Sequence, residues 1–268
     1  MENIKLVLVD LDGTLLDDQK RVSAYTLDVL RRLKKAGIQF GICTGRTPYA
    51  VEQLLKTWNM DEVTDVIIGF NGGQIFDLHE QNSESIYEMD GAYIDEILAF
   101  LADFSFNAFV FDHYTLHALR DDAHAQTIAR RNLLTIVEDG LAPYRAKKIN
   151  KLLTSWDKDD LDRFLSTHTL RHPDYYMVRS TPTLLEFMDH RVSKGQGIQR
   201  LCERKGIHPA QILSFGDELN DLDMLENTVG VAMANANPLL FEKTRWRTRE
   251  TNNEDGVARF LERYLLNC

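Results

Sequence analysis

Cysteine is scarce in this chain: 268 residues hold three, Cys43, Cys202 and Cys268. An odd, sparse set argues against a disulfide framework and points to a reducing cytoplasm. Cys43 closes an apolar run, so it reads as a small buried hydrophobe rather than a reactive thiol. An excess of basic residues is also missing. With 31 Lys+Arg against 41 Asp+Glu, the formal net charge is −10. That disfavours a nucleic-acid backbone or an anionic membrane as partner. A phosphorylated small molecule stays compatible, because a bound cation and a few placed donors reverse the local field. No apolar stretch is long enough to span a bilayer. The first one starts almost at Met1 but is short and closes on acids, so no signal peptide is expected. Repeats and low-complexity segments are absent, and His113, His117 and His124 have no metal-ligand spacing.

What is present is a soluble globular composition, 44% hydrophobic and 27% charged, with length for one large domain or two modest ones. The first third alternates strand and helix. Ile4 to Val9 reads as a buried strand. Ser23 reads as the N-cap of a helix with Leu27, Leu30 and Leu33 on one face and Gly37 as its stop. Ile38 to Cys43 is a second strand, Pro48 to Lys56 a helix with proline in its first turn, and Val66 to Phe70 a third strand. From about Ser83 the texture changes. Helices are expected at Gly91 to Phe104, Ala123 to Asn132 (broken) and Asp159 to His168. Strands are expected at Ala108 to His113, Thr115 to Leu119, Lys148 to Ser155, Tyr175 to Arg179 and Leu184 to Met188. Phe104, Phe106, Phe109 and Phe111 read as core of this part. Alternation then returns: helix Gly195 to Lys205, strand Ile212 to Phe215, short helix Asp221 to Glu226, strand Val229 to Met233, closing helix Gly256 to Leu266. The expectation is an α/β protein. A doubly wound, Rossmann-like parallel sheet spans 1–82 and 190–268, interrupted by an α+β insertion at 83–189.

Polar loops follow four of the strands: Asp10-Leu11-Asp12-Gly13-Thr14, Thr44-Gly45-Arg46, Asn71-Gly72-Gly73, and Gly216-Asp217-Glu218-Leu219-Asn220-Asp221. A parallel sheet brings such loops to one edge, where open α/β sheets hold ligands. Asp10 and Asp12 would repel each other without a cation. A hard divalent metal, magnesium first among them, with a nucleophile beside it accounts for the pair. Taken singly, paired aspartates also cap turns, Thr44-Gly45 is an ordinary turn, and Lys194 is a solvated lysine. Arg46 stands between substrate contact and ion pair, and Asn71 between substrate loop and strand-end turn. Asp112, His113 and Tyr114, at a hairpin tip, stand between substrate contact and plain turn.

Together the loops resemble the four motifs of the haloacid dehalogenase superfamily of phosphohydrolases, in order, with Lys194 before a helix as the third. An insertion between the second and third motifs resembles the Cof-type subgroup with a C2-type (IIB) α/β cap. The resemblance covers essentially the whole chain and implies a Mg²⁺-dependent phosphomonoesterase. It would act through an aspartyl-phosphate intermediate on small phosphorylated metabolites such as sugar phosphates, FMN or pyridoxal phosphate. By resemblance Asp10 is the nucleophile and Asp12 the general acid, then base; Asp12 rather than threonine implies fast turnover. The Asp10 side chain, the Asp12 backbone carbonyl and the Asp217 side chain would hold Mg²⁺. Asp221 would hold a metal water or orient Lys194. The Leu11 and Gly45 amides, Thr44, Lys194 and Asn220 would grip the phosphoryl oxygens, with the cap closing over the site. A phosphomutase of the same superfamily, and a non-catalytic regulatory module on the same fold, are the alternatives.

Overall fold

The computed structural model describes residues 3–266; Cys268 lies outside them. The chain divides into two compact units, one of Met1–Ile86 with Ser193–Cys268 and one of Tyr87–Val192. The boundaries read from sequence, after 82 and after 189, sit a few residues earlier. The polar strand Asn82–Ser85 carries loop-like composition yet pairs into the first unit's sheet.

That sheet has eight strands, in the order Trp246–Arg247, Val229–Ala232, Ile212–Gly216, Leu6–Val9, Gln39–Cys43, Val66–Gly69, Gln74–Asp77, Asn82–Ser85. The first six are mutually parallel. The last two run antiparallel to their neighbours and extend the edge of the parallel core. The turn Phe70–Gly72 joining Val66–Gly69 to Gln74–Asp77 is too short for a crossover, so only an antiparallel return is open to the chain. Leu6–Val9 is wholly buried, as a central strand covered on both faces must be.

From Leu6–Val9 the chain builds outward on one side, then returns to build on the other. Leu6–Val9 and Ile212–Gly216 therefore flank the point where strand order reverses, and their carboxyl ends open on one crevice. Sequence order alone thus sets Asp10 beside Asp217.

The helix Ala24–Lys35 covers this sheet with Leu27, Val29, Leu30 and Leu33. Ser23 Oγ accepts the Thr26 N–H at 3.0 Å, as its cap position demands, and donates to Asp255 Oδ1 at 2.6 Å. Pro48–Thr57 opens with its proline in the first turn, and the closing helix Gly256–Leu261 continues into a π turn over Glu262–Leu266.

The second unit is α+β. Its main sheet runs Tyr175–Thr181, Leu184–Asp189, Leu152–Trp156, Phe106–Asp112, Thr115–Ala118, Thr135–Glu138, antiparallel except for the last pair. Helices Tyr93–Phe100 and Lys158–Thr167 pack Ile94, Ile97, Leu161 and Phe164 onto it. Phe106 stacks on Trp156 at 5.2 Å and Phe104 meets Phe164 edge-on at 5.4 Å, so these rings are core. The single strand expected over Lys148 to Ser155 is two: Lys148–Ile149 pairs separately with Met89–Asp90, and Leu152–Trp156 joins the main sheet. Helix Ala123–Asn132 is continuous rather than broken, capped by the Asp122 side chain. Among the described residues no helix is long and apolar enough to cross a membrane.

Replacing Ser23 with alanine removes the cap and the Asp255 contact together. Equilibrium urea unfolding is expected to show a loss of about 1–2 kcal/mol with an unchanged m-value.

Candidate active site

The loop after Leu6–Val9 is wound tightly on one carbonyl. Leu11 C=O accepts the N–H groups of Thr14, Leu15 and Leu16 at 3.4, 3.1 and 2.9 Å, and the Leu11 side chain is fully buried. This winding needs Gly13 at φ +89°, where a Cβ would stand 2.3 Å from Asp217 Oδ2. The glycine therefore admits the carboxylate of the neighbouring strand's loop. Thr14 Oγ1 donates to Asp217 Oδ1 at 2.8 Å and completes the join.

Lys194 is the first residue of helix Lys194–Lys205. Ser193 caps that helix through the Gln196 N–H, and the Gly195 N–H donates to Asp223 Oδ2 at 2.8 Å. So fixed, the fully buried Lys194 Nζ donates to Asp10 Oδ1 at 2.7 Å and to Asp221 Oδ1 at 2.5 Å. The other Asp221 oxygen accepts the Asp217 and Glu218 N–H groups at 2.9 and 3.0 Å. Asp221 thus contacts both Lys194 and the backbone of its own loop.

Burial pushes the Asp10 carboxyl up; Lys194 pulls against this, Asp221 and Asp217 add to it, and the result is about 7. Burial likewise raises Asp217, to about 6, against the Thr14 hydrogen bond and with Asp221 adding to the rise. Burial acts to strip the Lys194 proton, but Asp10 and Asp221 outweigh it and hold the ammonium charged. Cys43 is buried near this group, and burial pushes its thiol up, in keeping with a neutral core residue.

Asp10, Asp217 and Asp221 each offer an oxygen within 4.8 Å of the others. Three buried carboxylates against one ammonium leave negative charge uncompensated, and an all-oxygen donor set suits a hard divalent cation. The residues present fit a metal ion. The Asp12 side chain lies outside this acid cluster. It takes Arg46 Nε at 2.9 Å and Nη2 at 2.8 Å in a fork, and Lys20 Nζ at 2.7 Å. Burial acts to raise Asp12, but the Arg46 guanidinium and then Lys20 outweigh it and hold its carboxyl below the ordinary value. The metal expectation for Asp12 concerned its backbone carbonyl, which this pairing leaves open.

Thr44, Gly45, Asn71 and Asn220 gather at the same edge. Thr44 C=O accepts the Asn71 N–H at 3.0 Å, and Asn220 Nδ2 donates to Asn71 Oδ1 at 3.3 Å. A Cβ on Gly45 would stand 3.0 Å from Asn71 Oδ1. The Leu11 N–H has no acceptor among the described residues. Of the histidines weighed, His113 pairs with Asp112, His117 with Asp139, and His124 with Ser155. Reasoning from sequence left three contacts unassigned. Thr14 and Arg46 stand inside motifs already noted, so their place was a signal; Lys20 had none.

Residues 7–261 match the haloacid dehalogenase-like hydrolase family. The chain belongs to that family. This hydrolase is 31% identical to the putative phosphatase YxeH of Bacillus subtilis, over 98% of each chain. It is 30% identical to the 5-amino-6-(5-phospho-D-ribitylamino)uracil phosphatase YitU of the same organism, over 97% of each. A solved haloacid dehalogenase-like hydrolase from Bacteroides thetaiotaomicron superposes with a TM-score of 0.87 at 27% identity, covering 97% of this chain and 99% of that one. The hydrolase is a phosphatase with an α/β Rossmann-like core.

Metal-free protein is expected to gain thermal stability from an added divalent cation, and more at pH 8 than at pH 5. The folded state raises Asp10 and Asp217 from 3.8 to about 7 and about 6. Their contribution is therefore complete below the unfolded value and is lost as pH rises through those folded values. The cation replaces what the departing protons leave. Equal gains in Tm at both pH values would place the ion elsewhere.

Proposed function

We propose that this phosphatase is a Mg²⁺-dependent phosphomonoesterase of small phosphorylated metabolites, working through an aspartyl phosphate on Asp10. The observation that carries the reading is the Lys194 ammonium held between Asp10 and Asp221 at the point where strand order reverses, with Asp12 two residues beyond Asp10. Asp10, Asp217 and the Asp12 carbonyl would hold the ion, with Asp221 behind them. When bound, the ion neutralises charge on the carboxylates and the phosphoryl group.

The chain's own residues then account for the rest. An Asp10 carboxylate oxygen attacks phosphorus. The bond from phosphorus to the leaving oxygen breaks, its electron pair stays on that oxygen, and the oxygen takes a proton from Asp12. In the second half, water loses a proton to Asp12 and attacks phosphorus, and the bond to Asp10 breaks, returning both carboxyl groups to their starting states. Thr44, the Gly45 and Leu11 amides, Lys194 and Asn220 supply donors and charge to the phosphoryl oxygens throughout.

The substrate class rests on likeness. A relative 30% identical over 97% of the chain is a phosphatase of a phosphorylated ribitylaminouracil, and a free metabolite of that size is the reading it supports. The two cysteines among the described residues are free and buried, which supports a cytoplasmic setting.

Asp10→Asn is expected to lower Mg²⁺-dependent phosphate release from p-nitrophenyl phosphate by more than ~10³-fold. Near-full activity in that variant would remove the nucleophile assignment. Asp217→Asn is expected to raise the Mg²⁺ concentration needed for half-maximal rate, and an unchanged requirement would remove Asp217 from the ion's ligands.

A further inference from the structure

Asp12 is held by more than its place in the loop. A carboxylate oxygen has two lone pairs in its plane. Oδ1 uses both, one on Arg46 Nη2 at 2.8 Å and one on Lys20 Nζ at 2.7 Å. Among the described residues Oδ2 uses one, on Arg46 Nε at 2.9 Å, and keeps the other. The two cations come from separate stretches, and each is anchored through its own backbone. Arg46 N–H donates to Thr44 Oγ1 at 3.3 Å, and Arg46 C=O accepts the Phe70 N–H at 2.9 Å. Lys20 sits at φ +61°, a left-handed conformation that a lysine rarely adopts. Its N–H donates to Asp17 C=O at 2.8 Å, and its C=O accepts the buried Trp58 indole N–H at 3.0 Å. A strained backbone fastened at both ends, with the side chain returned to one carboxylate, is a built contact rather than a chance surface pair.

We propose that Arg46 and Lys20 are positioning residues for Asp12, and that Oδ2 is the oxygen that carries the transferred proton. The inference rests on Asp12 being the acid–base group. The fork and the lysine fix the plane and direction of the carboxyl group, so that the one open lone pair faces a single way. In the first half-reaction Oδ2, protonated against the pull of the two cations, gives its proton to the leaving oxygen as the bond to phosphorus breaks. In the second it takes a proton from the attacking water. Neither cation changes its own protonation, and Arg46 acts through Asp12 rather than on the substrate.

A residue that acts through the general acid betrays itself by leaving-group dependence. Nitrophenolate departs without needing a proton, whereas an alkoxide does not. Leaving-group release in a single turnover is measured for p-nitrophenyl phosphate and for glycerol phosphate, in the wild type and in Arg46→Gln, Arg46→Lys, Lys20→Met and Asp12→Ala. In Arg46→Gln the ratio of the two rates is expected to shift against glycerol phosphate by ~10–100-fold. Arg46→Lys, with one donor in place of a fork, is expected between that and wild type. Lys20→Met is expected to shift the ratio a few-fold; its side chain is 54% exposed, so folding is not at stake.

Equal slowing of both substrates in Arg46→Gln with a raised KM would overturn the proposal in favour of a direct phosphoryl contact. Unchanged rates for both would overturn it outright. Asp12→Ala separates the layers. If it slows glycerol phosphate selectively while the Arg46 and Lys20 variants do not, the positioning inference alone fails. If Asp12→Ala treats both substrates alike, the acid–base reading fails and takes the inference with it.

Discussion

A single buried ammonium holds the centre of this molecule together. Lys194 Nζ bonds a carboxylate that follows the strand Leu6–Val9 and another from the loop that follows Ile212–Gly216. Nothing in local structure brings those stretches together; 184 residues separate Asp10 from Lys194. Removing one partner of a buried charge group costs several kcal/mol because the others are left uncompensated. The arrangement is therefore strongly determined. Lys194 is aimed by the start of its helix, and the helix start is tied by the Gly195 N–H to Asp223 in the helix that follows the Asp217 loop. Asp221 closes the circuit by receiving the backbone of that same loop.

The circuit stays electrically incomplete on its own. One ammonium faces three buried carboxyl groups, and burial, with the neighbouring acids adding to it, makes Asp10 and Asp217 hold protons more tightly than free carboxyls. A divalent ion brings the group to neutrality. A site so neutralised would no longer repel a phosphate dianion. A protein of net charge −10 can in this way serve an anionic substrate.

The parts legible in the sequence are those where chemistry or backbone geometry restricts the residue type. Asp10, Gly13 and Asp217 stand at strand ends, and the strands announce themselves by unbroken aliphatic runs such as Leu6–Val9. Ser23 and Pro48 mark helix starts for equally local reasons. What escaped depends on tertiary context. Asn82–Ser85 is polar and belongs to an edge, so no apolar alternation marks it. Thr135–Glu138 is another edge strand, with Thr135, Val137 and Glu138 all exposed. The Arg46 fork on Asp12 spans 34 residues and depends on side-chain reach, which spacing does not encode. Lys20 lies in a loop of charged and polar residues where any of several side chains has equal claim.

The third strand's end shows the same economy in backbone form. Phe70, Asn71 and Gly72 have φ of +50°, +54° and +102° in succession. Left-handed backbone costs a non-glycine residue about 1–3 kcal/mol, and it persists only where the surroundings over-determine it. Here they do. The Phe70 N–H is taken by Arg46 C=O and the Asn71 N–H by Thr44 C=O. Gly72 lies so close to the residue before Lys194 that a Cβ on it would stand 1.9 Å from Ser193 C=O. A relaxed strand end would lift Asn71 away from Gly45 and Asn220 and move Gly72 off the start of the lysine helix. The strain thus keeps the Gly45 and Asn220 loops and the start of the lysine helix in one frame. It also explains why two bulky residues, both nearly buried, occupy conformations that glycine would take more cheaply. Side chains are present there, Phe70 buried and Asn71 taking a hydrogen bond from Asn220, and glycine has none to offer.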